Sequence, residues 1–371
     1  MLLYVCLFTF LIVTRRNNAK SQLHEKRALS TKYWLINHIV LIHSQQMALI
    51  LMYHRISKEE SDPWSLCVAP EQFSQQLEVV KRVGLPVHMN QLIERFDNRD
   101  STKSSIVITF DDGFVDNLYQ AKPLLETHHV PATIFLVTDY LLRKQEFWFE
   151  ELEGLLLRAG TLPRKLHLTI NGQEMDWELG DSANYTGGAF VRNRNWRALE
   201  EPPTLRHSLY FDLWKRLRPL GDTERRNALD QLWTWIGNTP ALRHEHCALS
   251  VKEAQRLAEG GIFEIGSHTK THAQLSRLSE AAQRNEVAQS KSFLEDLIGR
   301  PVNSFAYPYG GYGDYSPASI ACAREAGYRS ACTTLPGKVD GDTDRFQLNR
   351  VAVGDWNGEE FERFLSGYLR D

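Results

Sequence analysis

Two adjacent carboxylates, Asp111 and Asp112, stand between a short apolar run, residues 106–110, and Gly113. The run is rich in β-branched residues, and a buried parallel strand presents reactive side chains at its carboxyl end in this way. Paired carboxylates at such a position can take up a proton or bind a metal ion. They can also cap the next helix or form a turn, and this stretch alone leaves both interpretations open.

Two histidines four residues apart, His268 and His272, follow a second predicted strand at residues 262–267. Imidazole suits zinc and its neighbours, and both rings reach one ion if the residues between them make a helical turn. The spacing also fits unrelated surface or capping histidines, and Thr269 stands where a zincin motif needs Glu. Together with one aspartate, the pair supplies two histidines and a carboxylate, which is the ligand set of an open catalytic metal site.

A third motif, residues 305–313, reads Phe-Ala-Tyr-Pro-Tyr-Gly-Gly-Tyr-Gly and follows another predicted strand. Its turn exposes backbone N–H groups that can face a developing oxyanion, and its tyrosines can flank a sugar. By itself the motif could equally be an aromatic surface loop. Because strand carboxyl ends converge on one face of a βα fold, we expect the three motifs to lie together.

Strand and helix patterns alternate from Met47 onward, which predicts βα units around a parallel sheet, either a half-barrel or a doubly wound sheet. The predicted strands are residues 48–53, 85–89, 106–110, 132–138, 262–267, 302–307 and 330–334. The predicted helices are residues 70–82, 90–96, 115–127, 250–260, 279–298 and 317–326.

Residues 141–249 interrupt this pattern and are predicted to be an insertion, so that the barrel spans residues 47–140 and 250–371. Asn171-Gly172 is a strong hairpin turn signal, and two helices rich in large apolar residues follow it. The hairpin is predicted at residues 166–179 and the helices at residues 205–217 and 223–236, with Trp214, Trp233 and Trp235 among their packing residues. Tryptophan can stack on sugar rings, but packing between helices is the favoured interpretation.

The composition is that of an ordinary globular protein, with 42% hydrophobic and 24% charged residues. A net charge of -3, with both signs mixed along the chain, gives no reason to expect nucleic acid or an anionic membrane as a partner. The five cysteines are odd in number and never form a CxxC pair, so neither a disulfide framework nor a cysteine zinc site is indicated.

Residues 1–46 are predicted to be an N-terminal extension, either a mistaken upstream start or a weak membrane-associated leader. The apolar stretch at residues 2–13 is shorter than the roughly 20 residues that span a bilayer. Arg15 and Arg16 follow it rather than precede it, unlike the charges of a signal peptide. Membrane contact is therefore expected only through residues 1–46. The compartment stays open, with a cytoplasmic or membrane-associated protein favoured over a secreted one.

The three motifs, in this order and spacing, resemble those of the polysaccharide deacetylases, the NodB homology or carbohydrate esterase family 4 enzymes. The matching stretches are residues 109–113, 268–272 and 307–310. The resemblance covers the two predicted barrel segments and leaves the insertion and the first 46 residues outside. It implies an α/β fold of the irregular (β/α)7 barrel type, to which the residue pattern adds a mixed α+β insertion. It also implies a hydrolase that acts on the carbon–nitrogen bond of an N-acetylated carbohydrate.

By this resemblance, Asp112, His268 and His272 hold a divalent metal, most often zinc, and Asp111 is the general base. The metal would polarise the acetamide carbonyl and a bound water. The metal and the Tyr309 backbone N–H would stabilise the tetrahedral oxyanion, and acetate and a free amine would result.

The chain departs from the family pattern at two positions. Ala306 stands where an arginine is usual, and Arg350 is expected to compensate by contacting Asp111. The general acid is usually a histidine near the carboxyl terminus, but no histidine follows His272. His54 directly follows the first strand, on the face expected to hold the motifs, so we predict that it is the leaving-group acid or a substrate contact. The alternative is a histidine bonded to a loop carbonyl.

Three functions follow from these observations. The leading one is a metal-dependent N-deacetylase of a polysaccharide or glycolipid. A hydrolase of another amide or ester would use the same residues, since the motifs specify the chemistry better than the substrate. A carbohydrate-binding relative without activity is the third, because the usual acid is missing.

Overall fold

The computed structural model describes residues 47–100, 104–237 and 242–369. The predicted N-terminal extension, residues 1–46, lies outside this part of the chain. No helix among the described residues is both long enough and apolar enough to cross a membrane. The four described cysteines are free thiols.

Within the described residues, seven parallel strands curl into a barrel in which each strand neighbours the next one along the chain, and the short strand Leu85–Pro86 pairs beside the second of them. They are β1 (Ala48–Tyr53), β2 (Ser105–Phe110), β3 (Ala132–Leu136), β4 (Phe263–Ser267), β5 (Ser304–Ala306), β6 (Ser330–Cys332) and β7 (Val351–Ala352). The last segment joins the two edges, because Val351 pairs with Leu51 of β1 and Leu348 forms a parallel bridge with Cys332 of β6. The predicted irregular (β/α) barrel is confirmed.

In the part of the chain that the structure describes, twelve α-helices accompany the strands. They are α1 (Pro70–Val83), α2 (Met89–Asp97), α3 (Lys122–His128), α4 (Thr138–Arg143), α5 (Trp148–Leu156), α6 (Gly187–Asn193), α7 (Leu205–Leu217), α8 (Asp222–Ile236), α9 (Val251–Ala258), α10 (Glu280–Ile298), α11 (Pro317–Glu325) and α12 (Gly358–Leu369). The described part of the chain also has short strands at Arg55–Ile56, Cys67–Val68, Leu85–Pro86, Gly160–Thr161 and Asn184–Tyr185.

The barrel strands are buried on both faces, which explains why their sequences are continuous apolar runs. Alternate side chains of a strand point to opposite faces. Leu49 and Leu51 of β1 belong to a cluster with Phe73 of α1, whereas Ile50 packs in another cluster with Val107 of β2. Apolar side chains therefore pack on both faces of the strands, inside the barrel and against the surrounding helices.

A second large hydrophobic cluster is built mainly from residues between β3 and β4. It includes Trp148 and Leu152 of α5, Leu213 of α7 and Leu229 of α8. The predicted hairpin is present as Lys165–Ile170 paired with Gln173–Glu178, and it turns at Asn171 and Gly172, with φ of 51° and 73°. Both values are those of the tight turn that Asn-Gly favours.

Several predicted strands are shorter in the structure, and two predicted elements differ in kind or in a boundary that has a clear physical reason. The strand predicted at residues 85–89 ends at Pro86, and α2 starts at Met89 because the Gln91 side chain accepts the His88 N–H at 3.0 Å and caps the helix. The helix predicted at residues 115–127 begins as a π-helical turn, Asn117–Ala121, before α3. Pro123 has no N–H to donate at that junction, which disfavours a regular α-helix through it.

Candidate active site

Residues that follow four different barrel strands line one cavity of about 450 Å³. His54 follows β1, the two aspartates follow β2, His268 follows β4 and Tyr309 follows β5. The predicted members of the site on this cavity are His54, Asp111, Asp112, His268, His272 and Tyr309. The expected convergence of the three motifs is thus confirmed, and it follows from the shared direction of the parallel strands.

Asp111 forms a buried ion pair with Arg350. The two guanidinium nitrogens Nη1 and Nη2 donate to the carboxylate oxygens, each at 2.7 Å, and both side chains are at most 2% exposed. Burial alone would raise the pKa of Asp111, but the charge of Arg350 outweighs it and holds that pKa below its usual range. Asp111 is therefore ionised, and the predicted contact with Arg350 is present.

Asp112 faces the two histidines instead of an arginine. Its Oδ1 lies 3.2 Å from His272 Nε2 and 3.6 Å from His268 Nε2. His268 donates from Nδ1 to the Ala306 carbonyl at 2.8 Å, so its Nε2 is the nitrogen with a free lone pair. One ligand atom from each residue lies within 4.8 Å of the others.

The electrostatics of these three side chains fit a bound cation. Burial raises the pKa of Asp112 to about 6 and lowers the pKa values of His268 and His272 to about 4 and about 3. Asp112 Oδ1 is buried without a hydrogen bond, and no Lys or Arg in the described residues pairs with it. A carboxylate and two neutral imidazoles are the donors that a divalent metal, zinc in particular, prefers.

The residues that join the two histidines do not form a helical turn, yet both rings reach Asp112. Thr269 and His272 have left-handed backbones, with φ of 66° and 56°, and the Thr269 hydroxyl accepts the His272 N–H at 3.1 Å. Glu286 of α10 accepts the N–H groups of Lys270 and Thr271, each at 2.9 Å. A side chain from a distant helix therefore holds this turn.

Strained backbone also shapes the aspartate pair. Asp112 has a φ of 72°, which is rare for a residue with a side chain, and Gly113 follows with a φ of 87°. A Cβ atom on Gly113 would come within 2.5 Å of Leu136 Cδ2 in β3. The glycine is therefore needed for the sharp turn that directs the two carboxylates to different partners.

The loop after β5 places Tyr309 beside the histidines. The Tyr309 ring centre lies 4.8 Å from that of His272, and the Trp148 indole N–H donates to the Tyr309 hydroxyl at 3.3 Å. Tyr309 has a φ of 62°, and Thr334 Oγ1 donates to its carbonyl at 2.6 Å. No hydrogen bond between described residues uses the Tyr309 N–H, which leaves this donor available to a ligand.

The other tyrosines of the loop do not line the cavity. Tyr307 is fully buried and donates its hydroxyl to the Phe346 carbonyl at 3.0 Å, so it is a core residue rather than a sugar contact. Tyr312 is 91% exposed. Asp314 stabilises the loop by accepting the Gly311 N–H at 2.9 Å and by pairing with Arg218, just past α7.

His54 is half-buried on the cavity, and its backbone carbonyl accepts a hydrogen bond from Asn117 Nδ2 at 2.9 Å. The next residue, Arg55, is fixed by ion pairs with Asp116 at 3.0 Å and Glu150 at 3.3 Å. Glu150 lies on α5 and also contacts His246, whose pKa is raised to about 9 because hydrogen bonds to Glu150 and Glu59 outweigh its burial. This network holds the backbone at His54.

Sequence reasoning missed several of these residues. Glu286 lies in a long helix with many acids, and nothing in its neighbourhood marks it as a turn anchor. Trp64, Leu66, Phe149 and Leu199 also line the cavity, as does Trp214, which had been assigned to helix packing. The only sequence signal that could have placed Trp214 at the cavity is the general tendency of tryptophan to stack on sugars.

Comparisons with known proteins identify similar sequences and similar folds. The family model for polysaccharide deacetylases matches residues 98–161 and 233–331. YxkH from Bacillus subtilis (strain 168), provisionally named a polysaccharide deacetylase, is 30% identical over 113 residues. That match covers 30% of this chain and 39% of YxkH, so the chain spans well under half of this relative.

Two solved structures share the fold at low identity. The deacetylase PplD from Streptococcus pyogenes, in complex with acetate, has a TM-score of 0.52 at 18% identity, covering 86% of this chain and 98% of PplD. IcaB from Ammonifex degensii has a TM-score of 0.51 at 14% identity, covering 88% of this chain and 98% of IcaB. The fold is therefore that of the deacetylase barrels. The match to the family model and the shared fold confirm the resemblance to the polysaccharide deacetylases.

Proposed function

We propose that this protein is a metal-dependent hydrolase that removes N-acetyl groups from a carbohydrate, either a polysaccharide or a glycolipid. The observation that carries the proposal is the unequal setting of two adjacent carboxylates. Asp111 is ionised by its pair with Arg350, and Asp112 faces two imidazole nitrogens. One carboxylate is thus available for a proton and the other for a cation. The matches to the polysaccharide deacetylase family model and to YxkH support the substrate class.

Asp112, His268 and His272 would hold the divalent metal, for which zinc is the best fit to two imidazoles and one carboxylate. When bound, such an ion polarises an amide carbonyl and lowers the pKa of a water ligand. His268 is oriented for this role by the Ala306 carbonyl.

The remaining residues divide the proton transfers of amide hydrolysis. Asp111 accepts the proton of the attacking water, since each carboxylate oxygen keeps a lone pair beyond the one that Arg350 occupies. The Tyr309 N–H donates to the oxyanion. His54 then protonates the sugar nitrogen as its bond to the acetyl carbon breaks, which yields acetate and a free amine.

Acetate release tests this proposal directly. The metal-loaded protein is expected to release acetate from N-acetylated sugar oligomers, and a chelator should stop the reaction until zinc is restored. Equilibrium dialysis should show about one zinc per chain, and His272→Ala should weaken zinc binding by more than the roughly 10–100-fold typical of losing an outer-shell partner. Oligomer binding without acetate release, with metal present, would favour the carbohydrate-binding alternative.

His54→Gln should show whether His54 is the leaving-group acid or only contacts the substrate. We expect turnover of an N-acetyl sugar to fall by about 10²-fold or more, because the amine cannot leave unprotonated. Hydrolysis of p-nitrophenyl acetate should change little, because nitrophenolate leaves without a proton. His128→Gln is the matched control, since His128 is also half-buried but bonds Ser74 Oγ away from the cavity. Equal losses on both substrates, or normal turnover of the sugar, would reject the acid assignment.

A further inference from the structure

The cavity extends beyond the residues needed for hydrolysis. Its remaining wall is apolar, and it is formed largely by Trp64, Leu66, Phe149, Leu199 and Trp214. A volume of about 450 Å³ lies within the roughly 300–1,000 Å³ of small-molecule sites, and it is more than an N-acetyl group alone can fill. This wall takes no part in the proton transfers. Its apolar surface therefore indicates contact with a part of the ligand other than the N-acetyl group.

Two tryptophans that are distant in sequence meet in this wall. Trp64 lies in the loop between the short strands Arg55–Ile56 and Cys67–Val68, and Trp214 lies on α7. Their ring centres are 4.1 Å apart with 31° between the planes, and both side chains are half-buried. The Trp64 indole N–H donates to the Tyr210 hydroxyl at 2.7 Å, so this ring is fixed and offers the cavity only apolar surface.

The pair lies next to the reacting groups. The Trp214 ring centre is 6.4 Å from that of Tyr309, which in turn is 4.8 Å from that of His272. We propose that Trp64 and Trp214 form a stacking subsite for a second sugar ring, beside the N-acetylated ring held at the metal ligands. This inference rests on the proposed function and deepens it, because it makes the substrate an oligosaccharide of at least two rings.

The charges near this wall indicate which class of sugar ring it can bind. Arg218 lies beside this pair of rings, with Cζ 5.1 Å from the Trp214 ring centre, and its charge is paired with Asp314. Stacking on a tryptophan uses the apolar face of a sugar, and the amphipathic ring tolerates the hydroxyl groups around it. A neutral sugar ring fits this apolar surface.

The competing explanation is that Trp64 and Trp214 only pack against each other. Two other tryptophans of the chain are examples of such packing. Trp233 and Trp235 of α8 are half-buried, and their indole N–H groups donate to Glu151 Oε1 and to the Lys165 carbonyl. Neither lines the cavity of Trp214. They join elements of the insertion to each other, whereas Trp64 and Trp214 line the same cavity as Asp112, His268 and His272. Trp235 is therefore a matched control.

The test compares a four-ring β-linked N-acetylglucosamine oligomer with p-nitrophenyl acetate, which has no sugar. In Trp214→Leu and Trp64→Leu, the ratio of kcat/KM for the oligomer to kcat/KM for the ester should fall about 10-fold, mainly through KM. Trp214→Tyr keeps a flat ring and should recover most of the ratio, and Trp235→Leu should leave it at the wild-type value. Equal losses on both substrates, or an unchanged ratio, would overturn the subsite.

Binding distinguishes failure of the subsite from failure of the proposed function. Calorimetry on the zinc-loaded Asp111→Asn variant should show oligomer binding that Trp214→Leu, added to it, weakens about 10-fold. If wild-type protein binds the oligomer in this way but releases no acetate, the subsite stands and the deacetylase proposal fails. If the oligomer does not bind, or binds equally in both variants, the subsite is rejected whatever the activity.

Discussion

Asp111→Asn is expected to lower the turnover of an N-acetylated oligomer by about 10³-fold, because removing a positioned general base typically costs 10²–10⁴-fold. The amide has nearly the shape of the carboxylate but cannot take up the proton of the attacking water. KM should change little, since the water and not the sugar contacts this group in the proposed mechanism. The measurement is steady-state acetate release by zinc-loaded protein.

Asp112→Asn is the matched comparison, because it changes the adjacent carboxylate in the same way. Asp111 pairs with Arg350 and is not part of the group that could hold a metal ion, whereas Asp112 is. We therefore expect Asp111→Asn to keep about one zinc per chain and lose activity, and Asp112→Asn to lose both. Zinc loss in Asp111→Asn, or more than a tenth of wild-type turnover, would contradict the separate roles assigned to the two residues.

The strands and the placement of the motifs on them could be predicted because each depends on local sequence. Residues 106–110 are β-branched and apolar, and they form a strand that is buried along its whole length. The Asn171-Gly172 turn is likewise local, and it is present. Once parallel strands were predicted, the meeting of Asp112 with His268 followed from their common direction.

The residues that adjust the site could not be predicted, because their partners are far away in the chain. The turn between His268 and His272 takes its shape from Glu286 in α10, and the wall pairs Trp64 with Trp214. Neither contact produces a periodic residue pattern in the sequence. Arg350 is an exception. Its contact with Asp111 was expected only because the family resemblance left a position without its usual arginine.

Arg350→Met is expected to destabilise the fold by about 3–5 kcal/mol at pH 7, because it leaves the Asp111 carboxylate buried without its counter-ion. Arg350 is fully buried, and it also donates to the Thr333 carbonyl at 2.8 Å and to Thr109 Oγ1 at 3.2 Å. Methionine is long and flexible enough to occupy much of the same space. The measurement is denaturant unfolding of the metal-free protein, followed across pH.

The sign of the pH dependence should reverse in this variant. In the wild type, the pKa of Asp111 is depressed, so its contribution to stability is present above the unfolded pKa of about 3.9 and is lost as pH falls. Without Arg350, burial raises that pKa above the unfolded value. The contribution of Asp111 is then full at low pH and is lost as pH rises, by up to about 1.4 kcal/mol per pH unit between the two pKa values.

The double variant Asp111→Asn/Arg350→Met tests whether the unpaired charge is the cause. Removing both charges should recover much of the stability that Arg350→Met loses, because a neutral pair carries no uncompensated buried ion. Arg324→Met is the control, because it breaks an exposed ion pair in which the side chains of Arg324 and Asp344 are 51% and 39% exposed. It should lower the free energy of unfolding by at most about 1 kcal/mol. If the double variant is no more stable than Arg350→Met, lost packing and lost hydrogen bonds explain the effect, and the ion pair is not what stabilises this part of the barrel.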